Sequence, residues 1–148
     1  MNDAPTLTMD ETFYDVNENS SLDMSITMFD VDGDELELWI LQEPVNGTIT
    51  DFDLSNGTFT YTPNPYFVGL DNISLYAKEV DTDEILISTT LSIDFNIVNV
   101  NDKPIAFDQV ITIQEDQLLE FNLTGQDIDG DELEFILETY PSDISEEI

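Results

Sequence analysis

The chain has no cysteine, no histidine and no arginine, and its only cationic side chains are Lys78 and Lys103. Each absence closes off a class of function. Without cysteine no disulfide framework holds the fold together. Without histidine or cysteine, the Ser-His-Asp and Cys-His arrangements of nucleophilic catalysis are impossible. A paired-carboxylate hydrolase needs a defined cleft, and among 34 Asp and Glu residues some pair always looks suggestive, so the chain reads as a non-enzyme. Nearly lacking positive charge, it carries a formal charge of −32, which excludes nucleic acid as a partner and disfavours anionic membrane surfaces. No apolar run approaches the ~18 residues that span a bilayer, so no membrane insertion is expected, and Asn2 and Asp3 directly after Met1 are not the start of a signal peptide.

Apolar residues make up 41% of the 148 positions, enough for a core. Self-repulsion on this scale works against a compact state, so a positive species is expected to neutralise it, either divalent cations or high salt. General halophilic acidity, however, would not repeat carboxylates at matched positions, and here they do repeat. Asn2-Asp3-Ala4-Pro5 returns 99 residues later as Asn101-Asp102-Lys103-Pro104. Asp30-Val31-Asp32-Gly33-Asp34-Glu35-Leu36 returns 97 residues later as Asp127-Ile128-Asp129-Gly130-Asp131-Glu132-Leu133. Between them, Val16-Asn17-Glu18-Asn19 is echoed by Ile113-Gln114-Glu115-Asp116. Three blocks in one order describe a tandem array: a complete repeat at 1–101, then the first half of a second at 102–148.

Within the first repeat, apolar and polar residues alternate with period 2. Leu22, Met24, Ile26 and Met28 form one such run; Leu36, Leu38 and Ile40 form another; Phe59 and Tyr61, Ile73, Leu75 and Ala77, and Leu91, Ile93, Phe95 and Ile97 complete the set. This is the pattern of strands with one face buried and one wet. Asp32-Gly33, Asn46-Gly47, Asn56-Gly57, Pro63-Asn64-Pro65 and the acidic stretch 79–84 supply turns between them. About seven short strands in about 100 residues predict an all-β, Greek-key β-sandwich of immunoglobulin-like architecture. The second segment predicts strands near 110–113, 118–123 and 133–137. Ile111, Ile113, Leu119, Phe121, Leu123, Leu133 and Phe135 would then lack an opposing sheet.

The recurring Asp-x-Asp-Gly has a ligand chemistry. A hard cation such as Ca²⁺ takes six to eight oxygen ligands at about 2.3–2.6 Å from carboxylates, amides, carbonyls and water. Alternate carboxylates on an extended stretch point the same way, and glycine permits a tight turn. A single copy would read equally well as a solvated turn; recurrence beside Asn-Asp-x-Pro and a repeated Glu favours a site. An EF-hand loop is excluded, because Gly33 stands at position 4 rather than 6 and Leu41 where the final Glu belongs.

Glu18 after a short β-run, Asp-x-Asp after the next, and Asn99-Val100-Asn101-Asp102-Lys103-Pro104 between repeats resemble cadherin repeats and the bacterial immunoglobulin-like tandem repeats of giant surface proteins and adhesins. Asn56-Gly57-Thr58-Phe59-Thr60-Tyr61-Thr62-Pro63-Asn64 with Gly69-Leu70-Asp71 is similar to the bacterial members. The resemblance implies calcium between successive repeats. It would be held at one junction by Glu18, Asp71, Asn99, Asn101, Asp102, Asp127 and Asp129. Asn2, Asp3, Asp30, Asp32 and Asp81 would form half of a second junction with a preceding repeat and stay partial or empty. Asp34 and Asp131 read as turn or strand-entry residues.

The function this implies is a calcium-rigidified structural spacer in a long, secreted or cell-surface protein of adhesin type, whose partners are the adjacent repeats of its own polypeptide. The alternative is a β-sandwich module that binds carbohydrate or a cell-surface protein through the aromatics Trp39, Tyr66, Phe67 and Tyr76.

Overall fold

The structure is a computed structural model that describes residues 2–80, 85–136 and 138–139. Its contacts divide the chain into two units, Met1–Val100 and Asn101–Ile148. Every regular element among the described residues is a strand, and no helix there is long and apolar enough to cross a membrane.

The first unit carries β1 (Thr6–Thr8), β2 (Phe13–Asn17), β3 (Leu22–Ser25), β4 (Thr27–Phe29), β5 (Glu35–Gln42), β6 (Gly47–Asp53), β7 (Thr58–Pro63), β8 (Gly69–Val80) and β9 (Leu91–Val98). One sheet has the order β2-β9-β8-β5 and the other β3-β7-β6, with β1 and β4 as a separate antiparallel pair. All ladders are antiparallel except β2 on β9, where Val16 lies opposite Ile97. The alternating runs therefore become sandwich strands, as the period predicts. The apolar run 22–28 is divided into β3, paired with β7, and β4, paired with β1.

Inward residues of both sheets build one core. Leu38, Tyr61, Ile73, Leu75, Ile93 and Phe95 have no exposed surface, each contributing about 1.5–3 kcal/mol by leaving water. The Tyr61 and Phe95 rings stack at 3.9 Å between centroids. Of the Asn46-Gly47 pair, expected as a turn, Asn46 ends the bend before β6 and Gly47 opens the strand. Glycine is required there because a Cβ would lie 2.3 Å from the Tyr61 ring, a packing constraint that local pattern does not reveal.

Among its described residues the second unit forms β10 (Ile105–Ala106) and β11 (Gly125–Gln126), an antiparallel pair. Residues 110–113, 118–123 and 133–136, expected as strands, form none; residue 137, the end of the last of these, lies outside the described residues. The first unit supplies the reason. Its equivalents β2, β3 and β5 all hydrogen-bond to β7, β8 or β9, for which the second unit has no counterpart. Only the β1–β4 pair closes within the first half of a repeat, and its copy is the one that forms. Ile105 opposite Gln126 reproduces Thr6 opposite Phe29. Ile113, Phe121 and Phe135 remain 55%, 56% and 43% exposed, whereas their counterparts Val16, Met24 and Leu38 are core residues.

Candidate metal centre

The first acidic motif lies between β4 and β5. Asp30 Oδ1 accepts hydrogen bonds from the backbone N–H groups of Asp32 (2.8 Å), Gly33 (3.0 Å) and Asp34 (3.4 Å). A short carboxylate capping its own following backbone is the turn chemistry expected of Asp, and Gly33 completes the turn at φ +84°. Asp32 Oδ2 accepts the N–H of Asp3 at 2.7 Å, so the N-terminal segment is tied to the motif. The other oxygen of Asp30 is buried without a hydrogen-bond partner, in a residue only 8% exposed.

A third segment completes the cluster. On β8 the inward stripe Ile73, Leu75, Ala77 continues into Glu79, which is fully buried. Glu79 Oε2 accepts hydrogen bonds from Asn2 Nδ2 (2.9 Å) and the Leu86 N–H (3.0 Å). Asp30, Asp34 and Glu79 bring carboxylate oxygens within 4.8 Å of one another. Partial burial, then the carboxylates of Asp30, Glu79 and Asp32, hold the Asp34 carboxyl above its ordinary range. Three carboxylates at this separation repel unless a cation or proton intervenes. The donor set is all oxygen, which suits a hard cation, and the orphaned Asp30 oxygen is a ligand position that no protein donor fills.

The motif folds the same way in the second unit. Asp127 Oδ1 accepts from the N–H groups of Asp129 (2.9 Å) and Asp131 (3.3 Å), Asp129 Oδ2 accepts from Asp102 N–H at 2.6 Å, and Gly130 has φ +83°. Asn101 Nδ2 donates to the Asp102 carbonyl at 3.2 Å. At the end of the first unit, the buried Glu18 accepts the Val100 N–H on Oε1 at 2.8 Å, fastening the segment that leaves β9. Asn99 is exposed beside it.

The structure thus gathers Asn2, Asp3, Asp30 and Asp32 at one place in the first unit, and Asn101, Asp102, Asp127 and Asp129 in the second. Asp81 lies outside the described residues. Asp71, expected among the junction ligands, has other work: its Oδ1 accepts from Val45 N–H and Asn72 N–H, and its Oδ2 from Asn46 N–H and the Tyr61 hydroxyl, at 2.9–3.0 Å. Buried at the start of β8, it pins the loop before β6 to the core. Asp34 is a turn and strand-entry residue, as expected, with its N–H on Asp30 and β5 beginning at the next position, whereas Glu79, expected in an acidic turn, lies within β8. Its phase with the buried stripe Ile73, Leu75, Ala77 is the signal that extends the strand to it.

The aromatics of the alternative reading are placed as follows. Trp39 is 39% exposed and lies opposite Tyr76. Lys78 Nζ sits 5.6 Å from the Trp39 ring centroid, and Trp39 Nε1 donates to Glu37 Oε2 at 3.2 Å. Tyr66 is 58% exposed, whereas Phe67 packs against the core.

A family model of the bacterial Ig domain matches residues 2–94, and the chain belongs to that family. No curated protein matches the sequence. Among solved structures, the crystal structure of human CDH23 EC21-23 is similar at a TM-score of 0.54 and 20% identity, over 84% of this chain and 46% of that one. An endo-fucoidan hydrolase of glycoside hydrolase family 107 matches at a TM-score of 0.43 and 17% identity, over 66% of this chain and 14% of that one. The chain therefore spans less than half of either. The first likeness shows the fold, an all-β sandwich of cadherin and immunoglobulin type. Families of this kind are typically non-enzymatic structural repeats of extracellular or surface proteins.

Proposed function

We propose that the chain is a spacer segment of a long extracellular or cell-surface protein of adhesin type, in which Ca²⁺ bound by the acidic ends of each repeat stiffens the array. The observation that carries this is the pair of acidic motifs. Both fold into one hydrogen-bonded frame, in which the first Asp caps the turn and the second anchors the incoming Asn-Asp segment. A turn needs only the first of those features; tying the inter-repeat segment to a carboxylate suits a joint.

At the junction the ligands would be Glu18, Asn99, Asn101, Asp102, Asp127 and Asp129. Asp71 is left out because both of its oxygens are engaged in the loop before β6. At the start of the first unit they would be Asn2, Asp3, Asp30, Asp32 and, on the sequence reading, Asp81. Bound calcium cancels charge that otherwise opposes folding, and extracellular modules of this kind load at about 10⁻⁴–10⁻³ M, a level met outside cells and not in cytosol. The mechanical consequence is a fixed angle between neighbouring repeats of the same polypeptide, where a bare linker would swing. Sugar binding by the Trp39 face receives less support, since Lys78 and Glu37 already engage that ring. Calorimetry in chelator and then in millimolar CaCl₂ tests the proposal; superimposable melting curves would sink it.

A further inference from the structure

We infer that the loop between β7 and β8 carries a binding site for a neutral sugar, with the Tyr66 ring as its platform and the Asn46 and Asn64 amides as its polar partners. This function is additional to the spacer role and does not depend on calcium.

The first observation is a residue whose backbone conformation does not suit its type. The Asn64 carbonyl accepts the Phe67 N–H at 3.2 Å, Pro65 takes the second position of the resulting turn, and Tyr66 at the third has φ +61°. This is the pattern of a type II turn, whose third position calls for Gly or Asn because a Cβ is disfavoured at positive φ. Tyrosine makes the turn costlier and gives nothing back to the core, since Tyr66 is exposed and lies outside the core cluster. Strain retained at an exposed aromatic points to a use other than folding. The second observation is the rigid frame that displays the ring. Phe67 packs against the core, the Asn64 N–H donates to the Asn46 carbonyl at 2.8 Å, and Asp71 accepts the N–H groups of Val45 and Asn46 at 2.9 Å. Both loops are thereby fixed to each other before any ligand arrives, which lowers the ordering cost of binding.

Chemistry and charge define the ligand. Asn64 is exposed and Asn46 half-buried; the frame uses their backbone groups, while each side-chain amide offers two donors and an acceptor. An aromatic face beside neutral amides suits a pyranose, whose C–H face lies on the ring while its hydroxyls meet the amides. Exposed Val45 and Val68 add apolar surface. No cation stands ready for an anionic sugar: Lys78, the only lysine of the first unit, lies nine residues beyond Gly69 along β8, about 30 Å away. The formal charge of −32 also repels sulfated and uronate chains. A cationic partner would need a free carboxylate in this frame, and Asp71 has both oxygens occupied.

The test is an array of neutral, sulfated and uronate oligosaccharides with polylysine spots, probed with the full 148-residue chain in chelator and in millimolar CaCl₂. Neutral glycans alone should retain the chain, equally in both buffers. Tyr66→Ala should abolish retention and Trp39→Ala should preserve it. Tyr66→Asn separates binding from folding, because Asn suits the third position of the turn. That variant should melt a few degrees higher than the parent and still lose the glycan. The site is overturned if no neutral glycan retains the chain, or if retention survives either Tyr66 substitution. A lower melting temperature for Tyr66→Asn overturns it too, since the ring would then be serving the fold. Retention on anionic glycans or polylysine in place of neutral glycans would assign a different ligand and overturn it as well. None of these outcomes bears on the calcium reading, whose own test is the melting curve.

Discussion

The two units begin with the same motifs and reach different ends. In the first, residues 22–40 are sealed by β7, β8 and β9, and Val16, Met24 and Leu38 enter a common core. In the second, Ile113, Phe121 and Phe135 occupy the same places in the repeat and stay exposed. Yet the acidic turn is equally well formed in both, down to the left-handed glycine and the anchoring bond from Asp3 or Asp102. Local chemistry completes itself; strand pairing waits for partners from the far half of the repeat. A β-ladder needs two strands, whereas an Asp-capped turn needs only its own next four residues.

The strongest way to break this comparison is at the core. Leu38→Ala in the first unit should cost about 2–5 kcal/mol through lost burial and a cavity. Phe135→Ala, at the equivalent place in the second, should change stability by no more than about 0.5 kcal/mol. Urea denaturation followed by Trp39 fluorescence measures both, and equal effects would erase the distinction.

Asp71→Ala comes next. It strands the N–H groups of Val45 and Asn46 and the buried Tyr61 hydroxyl, at about 1–3 kcal/mol, and should do so with or without calcium. A calcium-dependent loss would return Asp71 to the list of ligands. Tyr61 gives the same region a pH signature. Burial, then the hydrogen bond to Asp71 and its charge, raise the phenol above its ordinary value of 10.0. Because the folded value exceeds the unfolded one, this stability is complete below pH 10. It declines at higher pH by up to about 1.4 kcal/mol per unit, until the folded phenol ionises too. Tyr61→Phe should flatten that alkaline slope in equilibrium unfolding curves.

Chelation should have a similar or smaller effect. With dissociation constants of about 10⁻⁴–10⁻³ M, 10 mM Ca²⁺ contributes about 1.4–2.7 kcal/mol per site, read as a melting shift of several degrees for the first unit. The smallest contrast is backbone strain. Asp51 in β6 and Asp116 in the second unit have φ of 51° and 62°. Asp51→Gly should stabilise by about 0.5 kcal/mol where the fold enforces that geometry. Asp116→Gly should leave thermal unfolding unchanged.

Much of this was legible in the residues. Period-2 alternation located β3, β5, β7, β8 and β9 and the faces they bury, because a strand's two faces are written in consecutive residues. The repeat located the acidic turns, where Asp3 is tied to Asp32 and Asp32 to Asp30. The strands expected at 110–113 and 118–123 failed for a nonlocal reason, the lack of pairing partners. Asp71 shows another nonlocal effect: a carboxylate at the start of a strand reads as a ligand, and in the fold its oxygens accept from Tyr61 and the loop before β6. Glu79 reads as part of an acidic turn because its neighbours are acidic too, whereas it is a buried residue of β8.

By itself, then, the sequence determined the class of fold and the conformation of each acidic turn. These depend on residues close together in the chain, where sterics and short-range hydrogen bonding decide. Only the tertiary structure decided which carboxylates come together. Glu79 reaches Asp30 and Asp34 because β8 pairs with β5 in one register and no other, and Asp71 accepts a hydrogen bond from Tyr61 of the opposite sheet. Register is set by the packing of the whole core, since a slip of one residue would turn every buried side chain outward.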